Sequence, residues 1–198
     1  MPYPVTIRGE REPINRWLFL VKWLLIIPHV IVLAFLAIGF VFSWLAALFS
    51  IAFTGKYPRG LFDYNVGVLR WLWRVGFYSY QALGTDKYPP FSLKSDPTYP
   101  ADLTIEYPAK LKQGLVLVKW WLLALPHYAV VGVLQGGLGY HGTGLQGLLL
   151  LYAAVVHLFT GKYPDDMHQL IMGTNRWTAR VAGYAALTTD EYPPFSLS

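Results

Sequence analysis

The chain has 198 residues, of which 55% are hydrophobic, 17% aromatic and only 14% charged. A soluble domain carries charge on about a quarter of its residues, so this composition excludes an ordinary soluble fold and points to an integral membrane protein. The net charge of +5 is spread over single Lys and Arg residues among aromatics, without the basic helix or glycine-rich motif of a nucleic-acid binder, and anionic lipid headgroups are the expected counter-charge. With no cysteine, disulfides, thiolate catalysis and Cys-based zinc sites are excluded as well.

In chain order, the N-terminal arm carries Glu10 and Glu12 and has no small-residue cleavage site ahead of its apolar run, so the first hydrophobic segment is expected to insert and stay. The apolar run 17–53 is too long for one span of about 20 residues. It is read as a hairpin over 17–57, with helices at 18–38 and 40–57 and a turn near Gly39. FTGKYP follows at 53–58: Gly55 suits a left-handed helix terminator, Lys56 lies at the negative end of the helix dipole and Pro58 stops the helix. From 61 to 83, Asp63, Arg70, Arg74 and Gln81 share one face, which predicts an amphipathic helix lying in the membrane interface. Thr85-Asp86 and YPPFSL (88–93) then close the segment.

The same order returns. Val5-Thr6-Ile7 answers Leu103-Thr104-Ile105, Lys22-Trp23 answers Lys119-Trp120, and Pro28-His29 answers Pro126-His127. FTGKYP recurs at 159–164, Arg176-Trp177 and Arg180-Val181 match Arg70-Trp71 and Arg74-Val75, and Thr189-Asp190 precedes YPPFSL at 192–197. The chain is a tandem duplication: repeat 1 over 1–94, a polar linker over 95–108, and repeat 2 over 109–198, with a hairpin over 115–160 and an interfacial helix over 165–187. The second hairpin is expected to turn at the Gly-rich stretch 135–144. The fold class is thus an all-α membrane protein of four spanning helices, each copy a transmembrane hairpin plus an interfacial helix. Hairpins that dip into one leaflet are the competing topology. All charges lie outside the two turns, so the positive-inside tendency places both termini in the cytoplasm.

These repeated motifs resemble an uncharacterised family of small, largely actinobacterial integral membrane proteins known as a domain of unknown function. The resemblance covers nearly the whole chain twice. It implies a multi-pass protein of the bacterial inner membrane and supplies no activity. The second copy departs from the first in its Gly-rich turn and in Asp165-Asp166 where the first has Arg59-Gly60.

Two sets of candidate site residues emerge. Lys56, Arg70 and Arg74, with Lys162, Arg176 and Arg180, are placed to clamp lipid phosphates in two related pockets; the simpler role of FTGKYP is a membrane exit and turn. His29 and His127 follow helix-kinking prolines, where a histidine can satisfy the freed carbonyl. If a pseudo-twofold relates the halves, they are also placed as two axial haem ligands with His157 nearby; apart from that alternative no cofactor is expected. Asp165, Asp166 and His168 are read as helix-start residues favoured by the dipole rather than as a metal site. No phosphate loop, HExxH or nucleophile elbow occurs, so an enzyme is not expected. The expected function is a non-enzymatic scaffold or accessory subunit of a membrane complex, binding anionic lipid and other membrane subunits or itself. The alternatives are a small transporter or channel and a membrane-shaping hairpin protein.

Overall fold

A computed structural model describes residues 3–136 and 144–197. The elements in order are strand β1 (Val5–Gly9), helices α1 (Lys22–Leu25), α2 (Ile27–Thr54) and α3 (Arg59–Tyr78), strand β2 (Ala101–Ile105), and helices α4 (Gln113–Val116), α5 (Leu125–Gln135), α6 (Leu145–Thr160) and α7 (Asp165–Ala185). A 3₁₀ turn, Leu18–Leu20, precedes α1, and a π-helical turn, Lys119–Leu123, takes the equivalent place before α5.

The protein is mostly helical, and it is not all-α. β1 pairs antiparallel with β2 in the register Val5 to Ile105, Thr6 to Thr104 and Ile7 to Leu103. Because Thr6 and Thr104 are repeat equivalents, the sheet joins each strand to its own counterpart about a pseudo-twofold through that pair. The strands also trade partners. β1, from the arm of the first copy, packs on α7 of the second, while β2, from the segment read as a linker, packs on α3 of the first. Val5, Ala101, Leu103 and Ile105 thereby enter a common core with Ile51, Phe62, Phe77, Ala153 and Ile171.

α2 corrects the expected first hairpin. It runs unbroken through Gly39 for 28 residues, or about 42 Å at 1.5 Å per residue. A single glycine costs a helix only about 1 kcal/mol, too little to stop so apolar a run. Here the missing side chain admits Tyr64, whose hydroxyl donates to the Leu36 carbonyl at 2.8 Å and occupies the place of a Gly39 Cβ. Pro28 and Pro126 do not kink helices either. They sit in the first turns of α2 and α5, where no intrahelical N–H is needed.

In the second copy, α6 resumes beside the end of α5: Gln135 Nε2 donates to Gln146 Oε1 at 2.6 Å, and a Cβ on Gly144 would lie 2.2 Å from the Gly136 nitrogen. Most of the expected Gly-rich turn, residues 137–143, lies outside the described residues. Among those described, only α2 is a helix long and apolar enough to cross a membrane, so the four expected spans reduce to one helix of spanning length. The two predicted interfacial helices are corrected too. α3 and α7 are core helices, packed on strand and helix, with residues such as Trp73, Arg74, Phe77 and Tyr184 buried.

Candidate functional site

FTGKYP forms the turn its residues predict. Gly55 and Gly161 adopt φ of 69° and 71°, and their N–H groups close α2 and α6 on the carbonyls of Ile51 and His157, each at 2.8 Å. The Thr54 and Thr160 hydroxyls accept from the Lys56 and Lys162 N–H groups at 3.2 and 3.1 Å. What the motif adds is a cross-link between copies. Tyr57 OH donates to the Ala186 carbonyl at 3.3 Å and Tyr163 OH to the Ala82 carbonyl at 3.0 Å. In return each tyrosine carbonyl accepts from the other copy's arm: Tyr57 from the Tyr107 hydroxyl at 2.5 Å, and Tyr163 from Arg11 at 2.6 Å.

Two paired cages explain the other repeated motifs. Lys22 is fully buried, where its Nζ lies 2.9 Å from Asp86 and donates to the Thr85 carbonyl at 2.6 Å. Lys119 repeats this with Asp190 at 2.8 Å and the Thr189 carbonyl at 2.9 Å. Burial pushes both ammonium groups below the usual lysine range, and the aspartates counter this. Each aspartate also accepts a backbone N–H from the arm leading into its own copy, from Asn15 to Asp86 at 2.5 Å and from Lys112 to Asp190 at 2.6 Å.

The Pro-His motifs fill the second pair of cages. Trp71 Nε1–H donates to His29 Nδ1 at 3.0 Å, and Phe91 stacks on the imidazole with centroids 4.0 Å apart. Trp177 and Phe195 hold His127 likewise, at 3.1 and 4.2 Å. An indole can only donate, so each Nδ1 is unprotonated and each imidazole neutral with its proton on Nε2. YPPFSL is thus the lid of its own copy's histidine. Each ring is enclosed by its own copy's aromatics, Trp71, Tyr88 and Phe91 around His29 and Trp177, Tyr192 and Phe195 around His127, and no ring contact among the described residues joins the two.

The six basic candidates divide. Lys56 and Lys162 are exposed at the FTGKYP turns. Arg74 is fully buried, donating to the Ser92 and Lys94 carbonyls at 3.2 and 2.8 Å and to Asp102 at 3.1 Å. Arg70 donates to the Leu103 and Leu93 carbonyls, both at 2.9 Å, and pairs with Asp102 at 3.0 Å. The Asp102 carboxylate therefore bridges both guanidinium groups and accepts the Ser95 hydroxyl as well. In repeat 1 these arginines face inward as structural ties, not outward to phosphates. Burial lowers Arg70 from the ordinary arginine value, and Asp102 opposes that shift. In repeat 2, Arg176 and Arg180 line a cleft of about 330 Å³ with Tyr3, Val5, Thr6 and Ile7.

A second cleft, of about 490 Å³, sits on the second FTGKYP and includes Arg11, Glu12, His157, Lys162, Tyr163 and Asp165. His157 and His168 stand where the first copy has Ile51 and Phe62. Arg11 pairs with Asp165. His168 packs edge-on to Tyr163 and Phe77, at 5.8 and 6.4 Å between ring centroids. Burial, followed by the charge of Arg11, holds His168 below the ordinary histidine value. Asp86, Asp102 and Asp190 are the key residues that sequence reasoning missed. Thr-Asp recurring in step with Lys-Trp was the available signal for two of them; Asp102, alone in a presumed linker, had none.

These features define an internally duplicated, mostly helical protein carrying one helix of membrane-spanning length. It belongs to the family described as a domain of unknown function (DUF4389), whose model matches twice, over residues 16–92 and 116–196. No characterised protein and no solved structure matches the chain.

Proposed function

We propose that the protein is a membrane-embedded scaffold or accessory subunit, held in the bilayer by α2 and by the apolar faces of α5 and α6. One observation carries this reading. Ile31, Phe35, Ile38, Phe42, Leu45, Phe49 and Phe53 are all large, apolar and exposed, and their spacings of four and three residues align them in a single stripe along α2. Leu145, Leu148, Tyr152, Val155 and Phe159 continue the pattern on α6. A continuous stripe of this kind differs from the singly scattered apolar residues of a soluble surface, whereas the charges of Lys22, Lys119, Arg70 and Arg74 are turned inward onto Asp86, Asp190 and Asp102. Exposed Trp17, Trp23 and Trp121 suit the headgroup layer, where amphipathic rings concentrate. Lys56 and Lys162 at the helix exits then meet anionic headgroups, each contributing about 1 kcal/mol.

Because the chain has no cysteine, single cysteines at Phe35, Phe42 and Phe49 report directly. In membranes, an impermeant maleimide is expected to label them only after detergent is added, while a cysteine at the exposed Asp63 reacts throughout. Equal labelling of all four without detergent overturns the embedded reading. The accessory role is tested by extracting the native particle into nanodiscs and measuring its protein mass. A mass that includes other chains supports it, and a particle containing only one 22.4 kDa chain overturns it.

A further inference from the structure

The two arms meet the two FTGKYP turns unequally. Over the first turn, the Leu111 N–H donates to the Gly55 carbonyl at 2.8 Å and Gln113 Nε2 donates to the Phe53 carbonyl at 2.8 Å. Aligned on Asn15 and Lys112, whose N–H groups bind the equivalent aspartates, Ile14 and Arg16 take the places of Leu111 and Gln113. Among the described residues, neither makes the matching bond to Gly161 or Phe159. The cleft of about 490 Å³ opens at this unlaced turn, between the arm and the end of α6.

A polar residue enters the core at the same place. His157 stands where the first copy has the fully buried Ile51, and the imidazole, with only 4% of the residue exposed, forms part of the cleft wall. The Ile14 carbonyl stands near enough to take one N–H of the ring; the other nitrogen has no partner among the described residues. A buried polar atom left without a hydrogen bond costs stability that a ligand can restore. Most charges around the ring are already committed. Arg11 holds Asp165 and the Tyr163 carbonyl, Glu12 accepts from the Thr85 hydroxyl, and Asp86, whose charge also reaches His157, is held by Lys22. Lys162 lines the cleft, and the Arg16 guanidinium occupies the space that a Cβ on Gly161 would need. Both side chains are exposed, and among the described residues neither has a carboxylate within ion-pair distance.

We propose that the cleft at the second FTGKYP turn binds a phosphate group that carries a hydroxyl, with Arg16 and Lys162 on its charged oxygens and the open nitrogen of His157 on the hydroxyl. A guanidinium fork matches two phosphate oxygens, and an ammonium adds a point charge beside it. An imidazole that gives its one N–H to Ile14 can only accept at its other nitrogen, which selects an O–H next to the charge. Inorganic phosphate and a glycerol-phosphate headgroup both present one. The first copy does not repeat the site, because Ile51 has no polar atom and Leu111 closes the turn. The site is independent of the membrane reading, since its free-phosphate form needs no bilayer.

His157→Ile restores the first copy's Ile51, Arg16→Gln restores its Gln113, and Lys162→Gln removes the second charge. Arg16 and Lys162 are exposed, so their substitutions are expected to fold. Lys110→Gln, exposed beside the first turn, removes the same charge away from the cleft. The detergent-solubilised full-length protein and each variant are titrated with inorganic phosphate by calorimetry. In parallel, phosphatidylglycerol in mixed micelles is counted on the protein by native mass spectrometry. Binding is expected to weaken about tenfold or more in His157→Ile, Arg16→Gln and Lys162→Gln, and to persist in Lys110→Gln. Weakening in the phosphate arm identifies a soluble ligand, and weakening in the lipid arm alone identifies a headgroup. The proposal is overturned if neither probe binds, if His157→Ile binds both as the unmodified protein does, or if Lys110→Gln loses as much as Lys162→Gln.

Discussion

Lys22 and Lys119 show how individual residues hold this fold. An ammonium taken out of water loses several kcal/mol unless a charge and further acceptors replace its hydration, and each lysine has one aspartate, one threonine carbonyl and a tyrosine ring, Tyr78 at 4.5 Å or Tyr184 at 5.7 Å. Removing one partner strands the other. Asp86→Asn is therefore expected to cost about 3–5 kcal/mol, read as a lower denaturation midpoint in detergent. The double substitution Lys22→Met with Asp86→Leu should cost less, because no buried charge remains. His168 supplies a pH response. Its folded value lies below the ordinary 6.5, so the unfolded chain takes up the proton first as the solution is acidified. The stability that neutral His168 contributes is full above about 6.5 and is lost as pH falls from there through the folded value. His168→Phe, which restores the first copy's Phe62, should flatten the acid limb of a midpoint-against-pH plot. An unchanged slope below pH 6.5 would show that His168 does not set it.

At the level of elements, FTGKYP was legible because its chemistry is local: a glycine that must take positive φ, and a proline that cannot continue a helix. A methyl group on Gly55 would force a left-handed backbone on an L-residue and sit 3.1 Å from the Leu111 carbonyl oxygen. Gly55→Ala is accordingly expected to cost about 1–2 kcal/mol, measured as a drop in Tm of a few degrees, and Gly161→Ala to do likewise. Where local signals mislead, long-range contacts have taken over. Gly39 reads as a turn until Tyr64 fills the space above it. The Arg70 and Arg74 face reads as polar surface until Asp102, 32 and 28 residues further on, folds over it. Both α3 and α7 have the amphipathic period of an interfacial helix, and period alone cannot distinguish a polar face turned to headgroups from one turned to buried carbonyls. The candidate sites were half visible for the same reason: Lys22, Lys119, His29, His127, Arg70 and Arg74 stand out in the repeat, while Asp102 reaches its arginines only through an exchanged strand.

For the whole molecule, the duplication predicted the twofold but not the exchange of arms, since alternating residues in two short segments do not specify a partner. The sheet makes the arrangement testable. Directly opposed residues in an antiparallel pair have Cα atoms about 4.5–5.5 Å apart, within disulfide range, so Thr6→Cys with Thr104→Cys should oxidise to a single intramolecular bond in this otherwise cysteine-free chain. Closing a loop of about 100 residues adds up to about 4.7 kcal/mol, visible as a higher Tm than in the reduced form. Failure to cross-link under oxidising conditions would contradict the register. Residues 1–94 expressed alone should not fold, because their strand has given up its place on α3 to a segment they do not contain.

A strand that pairs with its own equivalent across a twofold axis describes a contact that two identical chains make as readily as two halves of one. The packing does not itself require the covalent link between the copies, and separate single copies are expected to build the same architecture as a symmetric homodimer with exchanged N-terminal arms. Within this one chain the two copies are not identical: Asp102 appears in one arm alone, and His157 and His168 in one helical half alone. A chain bearing a single copy of the domain is expected to be an obligate dimer. Its mass in solution decides this, and a stable single-copy monomer would place the origin of the exchange after the fusion.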